Sequence, residues 1–160
     1  MALSYFHPSV SNCFSLSLDG DYVCVNDSQV NLIFKNIGNV DFTSNIYTYD
    51  NTTGYIALNK RGKYLLTFHL SLISPSAVST GNLTIRYGSN LYNSYTDTVF
   101  TSTTSNKEFA MNGSFIFHTD DNDVAYLSLQ NVTDKNITVV GAPTNVAQKP
   151  SYMQLIYLGP

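Results

Sequence analysis

Residues 63–74 read Lys63-Tyr64-Leu65-Leu66-Thr67-Phe68-His69-Leu70-Ser71-Leu72-Ile73-Ser74. From Tyr64 to Leu72 every second residue is large and apolar, while Leu65, Thr67, His69, Ser71 and Ile73 between them are mixed. Successive side chains leave a pleated strand on opposite sides, so this period of two marks a strand with one face against a core. Lys107–Phe117 repeats it: Phe109, Met111, Gly113, Phe115 and Phe117 alternate with Glu108, Ala110, Asn112, Ser114 and Ile116. Further strands are predicted at Phe14–Leu18, Asp21–Val25, Val30–Lys35, Ile46–Tyr49, Tyr55–Leu58, Asn82–Tyr87, Thr96–Thr101, Asp123–Asn131, Ile137–Val140 and Tyr152–Leu158. Turn chemistry such as Asp19-Gly20, Asp50–Gly54, Arg61-Gly62 and Thr119–Asn122 separates them. Many short strands with no sustained helical period predict an all-β, antiparallel two-sheet sandwich.

Composition narrows the class. The chain has 160 residues, the size of one domain, and nothing in it marks a boundary. Charged residues are 12% of it, about half the usual share. Asn, Ser and Thr supply 51 residues, Tyr and Phe the bulk, and Trp is absent. Eight basic residues without a run, at a net charge of −3, argue against nucleic-acid binding through phosphates. No apolar run reaches the ~18 residues that would predict a membrane-spanning helix, and Met1–Pro8 shows no secretory signal pattern.

Two cysteines are too few for a disulfide scaffold. Leu18-Asp19-Gly20-Asp21 reads as a two-residue hairpin turn, which would set Ser15 opposite Cys24 and Cys13 diagonal to it. Diagonal positions are too far apart for an S–S bond unless a bulge shifts the register, so two thiols are expected. Six Asn-x-Ser/Thr sequons, at Asn26, Asn51, Asn82, Asn112, Asn131 and Asn136, are what so much Asn, Ser and Thr yields by chance and read as a by-product of composition.

The late strands carry apolar residues on both faces. In Tyr152–Leu158, Met153, Leu155 and Tyr157 oppose Tyr152, Ile156 and Leu158; in Asp123–Asn131, Val124 and Tyr126 oppose Ala125, Leu127 and Leu129. A sandwich strand has one core side, so a second apolar face calls for a cover. A neighbouring subunit is the economical one, a crossing segment of the same chain the other. Val124, Tyr126, Tyr152, Ile156 and Tyr157 are therefore the expected subunit contacts.

Tyr49-Asp50-Asn51-Thr52-Thr53-Gly54-Tyr55-Ile56-Ala57, then Gly62-Lys63-Tyr64-Leu65-Leu66-Thr67-Phe68-His69-Leu70, resembles the complement globular-head and tumour-necrosis-factor-like jelly rolls. Asp121–Leu127 and Ser151–Gly159 are similar to that superfamily's late loop and aromatic-rich last strand. The resemblance covers residues 30–159 and implies a jelly roll of about ten strands assembled as a compact homotrimer. Residues 1–28 have no clear counterpart and are expected to form an N-terminal hairpin or arm on a single 1–160 domain.

Chemistry is sparse. His7, His69 and His118 are the only imidazoles and Glu108 the only glutamate, with no spacing that converges on a catalytic or zinc site, so no enzyme is expected. Asp120, Asp121 and Asp123 form the one dense carboxylate cluster. Asp and Asn are default turn residues, yet hard cations take such oxygens, and some complement-type heads bind calcium, which makes calcium the candidate ion. Tyr92, Asn93 and Tyr95 lie in a Tyr/Asn/Ser-rich loop whose chemistry suits recognition. The resulting expectation is a non-enzymatic trimeric virion protein: a capsid, decoration or spike/fibre-head component. Its partners would be itself, other virion proteins, or a cell-surface receptor or glycan. The alternative is a soluble recognition module or cytokine-like ligand. Either places it on a virion or an extracellular surface.

Overall fold

The computed structural model describes residues 13–18, 20–35, 45–76, 81–89, 100–101, 108–120, 123–141 and 150–160. Its strands are Cys13–Leu18 (β1), Tyr22–Cys24 (β2), Ser28–Asn31 (β3), Phe34–Lys35 (β4), Tyr47–Tyr49 (β5), Ile56–Leu58 (β6), Gly62–Ile73 (β7), Gly81–Ser89 (β8), Phe100–Thr101 (β9), Glu108–Thr119 (β10), Asp123–Thr133 (β11), Ile137–Val139 (β12) and Tyr152–Gly159 (β13). Ten of these make two antiparallel five-stranded arrays, β10-β7-β13-β1-β4 and β5-β6-β11-β8-β9. β2 and β12 extend the first into a seven-stranded sheet, and β3 extends the second to six strands. This is the two-sheet jelly roll expected from the strand pattern.

The alternation in β7 sorts as expected. Tyr64, Leu66, Phe68, Leu70 and Leu72 are buried in the space between the sheets, with Met111 and Phe115 of β10 and Met153, Leu155 and Tyr157 of β13. From the facing sheet come Tyr47, Tyr49, Ile56, Leu58, Leu83, Ile85, Ala125, Leu127 and Leu129. Gly113 faces Phe68, and a Cβ there would enter that ring, so the stacked Phe68–Phe115 pair (5.7 Å) depends on its missing side chain. Buried phenols need partners. Tyr64 donates to Lys60 O (2.6 Å), Tyr157 to Arg61 O (3.1 Å) and Tyr49 to Phe34 O. Burial pushes the Tyr49 phenol well above its ordinary value.

Val30–Lys35, expected as one strand, is two. β3 pairs with β11 in one sheet and β4 with β1 in the other, so the chain crosses between layers at Leu32 and Ile33. Leu32 N–H donates to Leu127 O (2.9 Å) at the crossing, and Phe34 enters the core.

The hairpin expected for residues 14–25 does not form. β1 pairs with β13 and β4, leaving β1 no free edge for β2, which pairs with β12 instead. Partners run Cys13↔Ile156 to Ser17↔Tyr152, then Tyr22↔Val139 to Cys24↔Ile137. β1 and β2 thus run on in one direction beside a second column made of β12 and β13. Leu18 N–H donates to Ser151 O and Ser151 N–H to Val140 O (3.0 Å each), joining the columns at their breaks. Gly20, at φ +106°, and Gly141 occupy these breaks; a Cβ on Gly141 would collide with the Gly20 backbone. Gly141 N–H donates to Asp21 Oδ1 (3.0 Å). Even-numbered Leu16, Leu18 and Cys24 therefore all face inward. Cys24 is a free, buried thiol, and burial pushes its pKa up. The Cys13 side chain lies outside the described residues.

Asn131 is fully buried and ties the far end of this column to β11. Its Nδ2 donates to Cys24 O (2.9 Å) and Lys135 O (2.8 Å), and its Oδ1 accepts from Thr133 N–H (3.0 Å). A sugar on this sequon is incompatible with the folded chain, whereas Asn26, Asn112 and Asn136 are exposed. Asn131→Ala strands those three backbone groups and should cost about 3 kcal/mol, read as a lower urea midpoint. Gly141→Ala, forced against backbone that cannot rotate away, should cost a similar ~3 kcal/mol, while a substitution of exposed Ser15 to Ala leaves the midpoint unchanged.

Candidate functional site

The pairing of β10, β7, β13 and β1 sets their outward side chains in rows. One row is Ile116, Leu65 and Ile156; the next is Ser114, Thr67, Gln154 and Ser15; the third is Asn112, His69, Tyr152 and Ser17. At ~4.8 Å between strands the four-stranded face is about 15 Å wide. Ile116 is 68% exposed, Leu158 50% and Tyr152 41%, so the described part of the chain leaves these apolar groups in water. Among the described residues of these four strands, charged residues stand towards the ends, Lys63 beside His118 at one and Glu108 beside Ile73 at the other, while Lys35 of β4 pairs with Ser17 at the lateral edge.

At its centre the His69 ring stacks on Tyr152 (centroids 5.5 Å apart, 24° between planes). His69 Nδ1 lies 2.6 Å from Asn112 Oδ1 and Nε2 3.1 Å from Ser71 Oγ. With Asn112 Oδ1 as acceptor, Nδ1 carries the proton of the neutral ring and Nε2 accepts from the Ser71 hydroxyl. Ser71, His69 and Asn112 thus have the connectivity of a nucleophile, base and orienter. What they lack is an oxyanion site. Ser71 N–H is bonded to Ser151 Oγ (3.0 Å), and β7 is flanked on both edges by paired strands, so no pair of backbone donors is aimed at a reacting oxygen there. The array is an ordered polar patch on a flat sheet.

The five expected subunit-contact residues do not share a surface. Tyr152 and Ile156 lie on this face. Val124 and Tyr126 lie on the outward side of the other sheet, where Tyr126 meets Tyr55 edge-on at 5.8 Å. Tyr157 is 7% exposed and belongs to the core: its ring packs on Tyr64 at 5.2 Å, and Lys60 Nζ sits 4.7 Å over it. It is corrected from contact to core residue, because β13 alternates and Tyr157 shares the inward side of Met153 and Leu155. Leu65, Ile116 and Leu158, not singled out from the sequence, join Ile156 and Tyr152 in one patch only once β10, β7 and β13 are placed side by side.

The carboxylates diverge. Asp123 is buried, with Oδ2 2.8 Å from the Thr119 hydroxyl and Oδ1 accepting from Val124 N–H (2.8 Å), which fixes the start of β11. Asp120 is exposed and faces Arg61 Nε at 3.3 Å. Among the described residues no three His, Cys, Asp or Glu side chains come together as metal ligands; Asp121 lies outside them. Tyr92, Asn93 and Tyr95 lie outside the described residues as well. In the 50–55 turn, the Thr53 hydroxyl and then the Thr52 N–H hold the Asp50 carboxyl below its ordinary value, which orders the approach to β6. No described helix is long and apolar enough to cross a membrane.

No family model and no curated protein matches this sequence. The fold does match solved structures. The tumour necrosis factor Eiger from S. frugiperda aligns at a TM-score of 0.59 and 10% identity, over 92% of each chain. Murine APRIL at pH 5.0 aligns at 0.60 and 8%, over 91% of this chain and 98% of that one. The globular domain of zebrafish complement 1qA protein aligns at 0.54 and 15%, over 92% and 98%. The chain has the tumour-necrosis-factor-like and complement-globular-head jelly-roll fold that its sequence resembles.

Core and face separate by substitution. Tyr157→Asp places an unpaired charge between the sheets and should unfold the chain, at a cost of 3 kcal/mol or more by the usual ~3–5. Tyr152→Asp should leave the circular dichroism melt of the single chain within about 0.5 kcal/mol of wild type.

Proposed function

We propose that this chain is a non-enzymatic jelly-roll building block that assembles as a homotrimer through the outward face of β10, β7, β13 and β1. The observation that carries this is the row Ile116, Leu65, Ile156 with Leu158 and Tyr152 beside it, apolar and exposed or half-buried among the described residues, on a face without formal charge at its centre. A face without charge at its centre can be dried against a neighbouring copy without stranding a formal charge, and desolvating it gains ~25 cal/mol per Å² of apolar surface.

The trimer is best read as a virion component, a capsid, decoration or spike/fibre-head protein. Apolar surface on two opposite sides supports this, because Tyr55 and Tyr126 on the second sheet suit contact with other shell proteins. The low charge fits the same reading. A second reading, a recognition module or cytokine-like ligand on an extracellular surface, is favoured by the fold shared with Eiger, APRIL and the complement domain. The loop with Tyr92, Asn93 and Tyr95 would then grip a receptor or glycan, and the Asp120–Asp123 turn, if calcium binds at all, is where it would sit.

Light scattering at micromolar concentration should return three times the 17.7 kDa chain mass, and Ile156→Asp a single chain with unchanged circular dichroism. A wild-type mass of one chain defeats the proposal. Stoichiometric copies in purified particles select the virion reading; sub-micromolar capture of a receptor or glycan by the free trimer selects the other.

A further inference from the structure

We infer that His69 makes assembly pH-dependent, so that trimers of this chain come apart on acidification without unfolding. The inference rests on the trimer proposed above and adds its regulation. His69 is central on the face, in the row of Asn112, Tyr152 and Ser17, two positions along β7 from Thr67 and four from the apolar Leu65 row. The occupant of that face is a second copy of the same chain, because its middle rows hold Ser114, Thr67, Gln154, Ser15, Asn112 and Tyr152, none of which strands a formal charge when the face is dried; the cation in these rows, Lys35 beside Ser17, stands at the lateral edge on β4.

The environment of the imidazole is one-sided. In the single chain His69 is half-buried, and a proton added at Nε2 is met by the Ser71 hydroxyl, which rotates from donor to acceptor. Among the described residues nothing nearby offsets the new charge. On β10 the outward ionisable groups are Glu108 and His118, four and six residues from Asn112, so about 13 Å and 20 Å away along the strand. On β13 the neighbour is Tyr152, a phenol, and phenols carry no charge below about pH 9. On β12 it is Thr138, on β1 Ser15 and Ser17, and on β7 itself Lys63 is about 20 Å off. Among the described residues no carboxylate stands within reach of His69 to hold an imidazolium once a sister copy removes the water.

Docking therefore discriminates between the two forms of the ring. Neutral His69 keeps both hydrogen bonds inside its own subunit and loses only solvent from its stacked face. Charged His69 would be desolvated without a counter-ion, three times in each trimer. The trimer thus binds fewer protons than three free chains. By linkage, association weakens as the pH falls, by up to ~1000-fold in the trimer constant per pH unit where three protons are taken up.

Sedimentation of the wild-type chain at pH 8.0 and pH 5.0, with circular dichroism at both, tests this. Expected are trimers at pH 8.0, single folded chains at pH 5.0, and trimers again on return to pH 8.0. His69→Gln, which keeps a neutral hydrogen-bonding side chain, should remain trimeric at both, while His118→Gln should dissociate like wild type. Wild-type trimers persisting at pH 5.0 overturn the switch and leave the trimer standing. Single chains already at pH 8.0 overturn the trimer and the switch with it. Dissociation accompanied by loss of the β-sheet signal, or abolished by His118→Gln rather than His69→Gln, also overturns the assignment.

Discussion

β7 has both edges paired along most of its length and one face sealed against the opposite sheet, and everything else follows from that confinement. Because the pleat alternates strictly, committing Tyr64, Leu66, Phe68, Leu70 and Leu72 to the interior commits Leu65, Thr67, His69, Ser71 and Ile73 to the exterior. β10 and β13 are held in register with it, so their outward residues are placed by the same constraint. A slip of one residue would send His69 and Thr67 into the core and five large apolar groups into water. The register is therefore strongly specified, and with it the composition of the surface that a neighbour would meet.

The second organising feature is the pair of breaks at Gly20 and Gly141. Each column beside β7 is interrupted once, and the interruptions lie against each other. The close approach leaves no room for a side chain at Gly141, and the positive φ at Gly20 suits a residue without one. This lets residues 13–24 pass along the sheet as a broken strand. Asn131 completes the arrangement from the other layer, holding the end of β2 and the turn before β12 with a single amide. Together these contacts make residues 13–24 part of the body of the sandwich.

A flat sheet face is poor ground for catalysis and good ground for association. Catalysis needs donors aimed at a reacting atom, and the backbone donors of paired strands are engaged in the ladders. Association needs a surface that can be dried without orphaning polar groups. Around His69 the polar groups already satisfy one another, through Asn112, Ser71 and the Tyr152 ring. The adjoining Ile116–Leu65–Ile156 row supplies apolar area. The same histidine that gives the patch a nucleophile–base–orienter appearance thus serves better as an ionisable element in a neutral contact.

The strand pattern was legible because burial imposes a period of two that survives in β7 and β10. The all-β class, the two-sheet sandwich and the inward residues of those strands could be read from it directly. Local signals at chain reversals were less trustworthy. Asp19-Gly20 carries hairpin chemistry, although a hairpin there would have put Asp21 on the core side with Leu18; the parity of Leu16, Leu18 and Cys24 pointed to a straight course. Apolar residues on the second faces of β11 and β13 were visible, but not that these faces lie on opposite sides of the molecule, nor that Tyr157 turns inward. A sequence determines which residues share a face of one strand, because that depends only on the pleat. Which strands lie side by side, and so which faces merge into one surface, is set by long-range pairing and packing, and only the tertiary structure decides it.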